Sequence, residues 1–142
     1  MNVKQALKQK NKLVTDLKAQ YEILKKYNSI EEGNPRRYSM SATLDRIHTL
    51  SNELVELKAQ IHKANQPVYD KIFALAELKG MIKELKKVPT EEGKINERYG
   101  SVVSVKEVEL NVTDIDAAIA VLESQIEGLQ NELDIHNATT QI

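Results

Sequence analysis

The chain has 142 residues, 29% charged and 4% aromatic, with neither cysteine nor tryptophan. That length can bury one core; the absence of cysteine excludes disulfides, thiolate metal sites and a thiol nucleophile. Leu, Ile, Val and Ala must do the packing, which suits side-by-side helices better than a β-sandwich.

The net charge is −1, so the overall basic excess of a nucleic-acid binder is missing. Its distribution is uneven. Residues 1–28 carry seven lysines against Asp16 and Glu22, whereas residues 107–142 carry eight carboxylates and no Lys or Arg. The basic first helix is expected to lie beside the acidic last helix, in the same protomer or a neighbour. No run of about 18 apolar residues exists to span a membrane. Residues 1–8 lack the apolar run of a signal peptide, so the expected location is cytoplasmic.

In chain order, the first helix is predicted over about 2–28. Val3, Leu7, Val14, Leu17, Tyr21 and Leu24 follow a 4-3 spacing, with Lys10 on the seam, while Leu13 and Ile23 widen the face. Glu31-Glu32-Gly33-Asn34-Pro35 punctuates it. Ser41 reads as the N-cap of a second helix over about 41–65, with the stripe Ile47, Leu50, Leu54, Leu57, Ile61 and Ala64. Pro67 breaks it. A third helix over about 68–87 carries Ile72, Leu75, Leu78, Ile82 and Leu85. Gly80 inside it reads either as a close helix crossing or as a tolerated weak spot. Residues 90–94 read as a solvated loop.

From Arg98 the pattern changes. Val102, Val103, Val105, Val108, Leu110 and Val112 are rich in β-branching and partly alternate with polar residues, which predicts a strand over about 102–112. A strand needs a partner. The choices are a hairpin turning at Ser104–Lys106, residues 36–40, or a second subunit. The last helix, about 113–137, has Thr113 as its expected N-cap. Its seam is Ile115, Ile119, Leu122, Ile126, Leu129 and Leu133, with His136 next in the series. The fold class that follows is a mainly α, antiparallel helical bundle in a single domain. It has coiled-coil-like seams and one short strand or hairpin before the last helix.

Reaction centres are hard to find. Asp45-x-x-His48 and Glu132-x-x-x-His136 each place two potential ligands on one helical face, but the paired Glu-x-x-His motifs of di-iron bundles are missing. Glu53-x-x-Glu56 is half of the acidic motif of all-α nucleotide pyrophosphohydrolases, without its second half. There is no Gly-rich phosphate loop and no assignable Ser/His/Asp set. No catalytic, cofactor-binding or metal residue is therefore assigned, and no small-molecule substrate. Two helix ends resemble each other: Ile61-His62-Lys63-Ala64-Asn65 and Ile135-His136-Asn137-Ala138-Thr139. A shared binding spot is one reading; C-terminal capping by Asn in the left-handed conformation is the preferred one.

Taken together, the Lys-rich first helix, the Glu-Glu-Gly-x-Pro turn (Glu31 to Pro35), Ile61 to Asn65, Arg98-Tyr99, Val112 to Ile115 and the Asn-x-Thr-Thr ending (Asn137 to Ile142) resemble a family of small bacterial helical proteins called septicolysins. Ala138 stands where that family often has an aromatic. The resemblance implies a membrane-active or pore-forming protein. The residues themselves lack the alternating segments of about ten residues that build a membrane barrel. They point instead to a non-enzymatic, self-associating structural or scaffold protein, a homo-oligomer without membrane or nucleic-acid partners. The expected oligomer interface comprises Val108, Leu110 and Val112 on an edge strand, together with Ile119, Ile126 and Leu133 on the last helix.

Overall fold

A computed structural model describes residues 1–96 and 103–142 of the chain. The architecture is mainly helical, with packed helices and a two-stranded antiparallel hairpin before the last helix. The order is α1 (Val3–Tyr27), α2 (Met40–Asn65), a 3-10 turn (Gln66–Val68), α3 (Tyr69–Leu85), β1 (Gly93–Asn96), β2 (Val103–Lys106) and α4 (Val112–Thr139). The chain divides into two compact units: Met1–Val68 with Ile135–Ile142, and Tyr69–Asp134.

In the first unit α1 and α2 pack antiparallel. Ala6 and Leu13 of α1 share a core with Leu50, Leu54, Leu57 and Ile61 of α2. The α2 stripe is the one its spacing predicts, extended by buried Thr43, whose hydroxyl donates to the Ser39 carbonyl at 2.8 Å. The α1 seam holds in part: Val3 is buried and Leu7 and Leu17 pack against the core, but Ala6 and Leu13 take the buried places expected of Leu7 and Val14. Leu13 is buried while Val14 and Tyr21 stay 46% and 41% exposed, so the packed series is Val3, Ala6, Lys10, Leu13, Leu17. Alanine explains the miss: Ala6 is too small to mark a seam in a sequence, yet it is fully buried and lets the helices approach. Ser39 rather than Ser41 caps α2, accepting from the Ala42 amide at 3.1 Å.

In the second unit α3 and α4 also run antiparallel. Lys71, early in α3, pairs with Glu132, late in α4, at 3.2 Å. At the other end Leu85 and Val88 line one groove with Val112, Ile115 and Ile119. Ile115, Ile119, Leu122 and Leu133 are buried, as the seam spacing predicts.

The predicted strand over 102–112 is corrected. Val102, Arg98 and Tyr99 lie outside the described residues. Within them β2 ends at Lys106, and its partner is β1, in the register Gly93↔Lys106 to Asn96↔Val103. Residues 93 and 94, read as loop, are thus strand, and Ser104–Lys106, read as a turn, is ladder. Gly93 makes this possible with φ +89, a conformation that L side chains adopt only at a cost. Residues 107–111 form no strand, because Asn111 starts α4. The Asn111 side chain accepts from the Asp114 amide at 2.9 Å, and the Asp114 carboxylate accepts from the Asn111 amide at 3.0 Å. This reciprocal box makes Asn111, not Thr113, the cap and puts Val112 inside the helix.

Candidate functional site

The densest polar constellation lies in the first unit, where the last turns of α4 meet the end of α2 and the start of α1. Asn2 begins it. Its side chain accepts from the Gln5 amide at 2.8 Å, and the Gln5 side chain accepts from the Asn2 amide at 2.9 Å. This capping box satisfies the first turn of α1. The Asn2 Nδ2 donates onward to the Ala138 carbonyl at 3.1 Å. Backbone pairing continues the contact: the Val3 amide donates to the Thr140 carbonyl and the Ile142 amide to the Met1 carbonyl, both at 3.0 Å, around an Asn2↔Gln141 bridge.

His136 stands at the centre, half-buried. Its Nε2 lies 3.1 Å from Asn65 Oδ1, and its Nδ1 lies 3.0 Å from the Thr140 hydroxyl. With a proton on Nε2 the ring donates to Asn65, and Nδ1 can accept from the Thr140 hydroxyl. The two look-alike helix ends do meet, through Asn65 and His136. Left-handed capping is corrected: among the described residues no non-glycine has positive φ, α2 passes into a 3-10 turn, and α4 continues to Thr139. The side chain of Asn65, the last residue of α2, ties two chain segments together. Beside the junction, Gln60, Lys63, Ala64, Pro67, Gln141 and Ile142 line an open groove of about 520 Å³.

A second cluster holds the loop between α1 and α2. Arg36 Nη1 donates to the Tyr27 and Asn28 carbonyls at 2.6 and 2.9 Å, which satisfies orphan carbonyls ending α1. Tyr38 packs on Tyr27 with ring centroids 5.0 Å apart. Arg36 and Tyr38 thus stabilise the turn, a role that the Gly-Asn-Pro punctuation alone does not reveal.

The remaining candidates are dispersed. His48, Glu53 and Glu56 are exposed on α2, the last two lining a shallow groove with Gln9 and Leu13. Among the described residues no three His, Asp or Glu side chains come together. Of the predicted interface, Leu110 and Val112 are 55% and 53% exposed, while Val108 and Ile126 are half-buried. Ile119 and Leu133 are buried inside the chain and present no free surface.

Compared with known proteins, the chain matches no family model, no curated protein and no solved structure.

Proposed function

We propose that this is a non-enzymatic, self-associating structural protein in which a second copy of the chain covers α3. The observation that carries the reading is that α3, at 17 residues, holds no buried residue. Its seam of Ile72, Leu75, Leu78, Ile82 and Leu85 is only half-buried, and Phe73 and Met81 are 63% and 49% exposed. A helix this short draws its stability from burying its apolar face. At about 1.5–3 kcal/mol per fully buried side chain, the part of these five that stays exposed leaves roughly 1–5 kcal/mol unrealised.

The second copy is favoured by charge. Three lysines and three carboxylates leave α3 neutral, so two α3 helices can approach without like-charge repulsion. The same apolar stripe on both chains is self-complementary, as a two-fold contact requires. Val112, exposed, lines one groove with Leu85 and Val88 at the end of this helix.

Light scattering at micromolar concentration tests the reading. The expected mass is at least twice the 16.1 kDa of one chain, falling when Phe73→Ser and Met81→Ser are combined. A mass of 16.1 kDa for the parent overturns the proposal.

A further inference from the structure

Charge is segregated by helix. α1 carries seven lysines against two carboxylates, α4 carries six carboxylates and no Lys or Arg, and α2 and α3 are each balanced. On α1, Lys4, Lys18 and Lys25 fall on one 4-3 stripe with the exposed Val14 and Tyr21. At about 100° per residue this stripe lies a quarter-turn or so away from the face that packs on α2. On α4, Asp116, Glu123, Glu127 and Asp134 form a matching 4-3 stripe, turned similarly away from the buried seam, and all four are exposed. At 1.5 Å per residue the stripes span about 32 and 27 Å, so they match in length. Among the described residues neither stripe is paired with an opposite charge from another helix. The ion pair of an α1 lysine among the described residues is Lys25 with Glu22 of the same helix, and that of an α4 carboxylate is Lys71 with Glu132, outside the stripe.

Resting on the self-association proposed above, we infer that the acidic stripe of α4 docks on the basic stripe of α1 from a second copy of this chain. Two α4 helices repel one another, and α2 and α3 offer no net positive face, which leaves α1 as the complementary surface. Val14 and Tyr21 supply apolar area, while the charges set orientation and exclude the like-to-like pairing.

The test is a pair of complementary charge reversals, Lys18→Glu with Lys25→Glu in one chain and Glu123→Lys with Glu127→Lys in another. Each variant alone should associate at least tenfold more weakly than the parent. Their equimolar mixture should recover association, because each reversed face then meets its complement. Circular dichroism checks folding, and where a reversal unfolds the chain, salt titration of the parent replaces it: dissociation should strengthen several-fold as screening rises. A monomeric parent overturns the underlying reading as well as this one. A parent that assembles, with reversal variants within twofold of it or with no salt dependence, overturns this contact alone.

Discussion

Replacing Asn2 tests whether the junction at the chain ends holds the first unit together. Asn2→Ala removes the acceptor for the Gln5 amide and the donor to the Ala138 carbonyl, and leaves the backbone bonds of Val3 and Ile142 in place. Loss of an N-cap costs about 0.5–2 kcal/mol, and a net side-chain hydrogen bond adds about 0.5–1.5 kcal/mol. The expected loss is therefore about 1–3 kcal/mol, or about 2–10 °C in Tm for a chain of this size. Asn2→Asp separates the two contributions. Aspartate keeps the capping oxygen and suits the positive end of the helix dipole. It has no donor for Ala138, however, and sets a carboxylate against that carbonyl. Urea unfolding followed by circular dichroism should place Asn2→Asp about 1 kcal/mol below the parent. An Asn2→Asp variant as stable as the parent, beside a weakened Asn2→Ala, shows that the Ala138 contact contributes nothing. Two unchanged variants refute the junction.

Other outcomes follow from the same geometry. Leu50, 1% exposed, should lose about 2–5 kcal/mol on substitution by Ala, whereas Val55→Ala, at 66% exposure, should stay within about 0.5 kcal/mol in the same denaturant assay. His136→Ala strands Asn65 and Thr140, both half-buried, and should cost about 1–3 kcal/mol by thermal unfolding. A Cβ at Gly80 meets nothing within 4 Å, so Gly80→Ala should stabilise α3 by up to about 1 kcal/mol, read as a rise in Tm. Among the described residues no helix is long and apolar enough to cross a membrane. On the reading of a self-associating structural protein, dye-loaded liposomes should retain their contents at micromolar protein, and release would count against it.

The helices were legible because their seams repeat, and Ile47, Leu50, Leu54, Leu57 and Ile61 needed nothing more than spacing. Periodicity misled where small or polar residues took seam places, as Ala6 does in α1. It also misled between 107 and 112, where Val108, Leu110 and Val112 alternate like a strand. There the Asn111-x-x-Asp114 box settles the matter locally by starting a helix, a signal present in the sequence and outweighed by β-branching. The β1 strand had no such signal, since Gly93 and Lys94 look like loop until Val105 and Lys106 pair with them. The likeness between the ends of α2 and α4 was visible, but not that Asn65 would reach His136, because a contact across 71 positions depends on tertiary packing. Within one chain no close crossing explains Gly80, because a Cβ there meets nothing within 4 Å.

The central claim is that a second copy of the chain covers α3. Amide hydrogen exchange, followed across a dilution series, reads that cover directly. Protection over Tyr69–Leu85 should rise with protein concentration while that of the buried Leu50–Ile61 segment stays constant. Exchange in α3 that is independent of concentration, in a chain whose α2 is fully protected, would contradict the account.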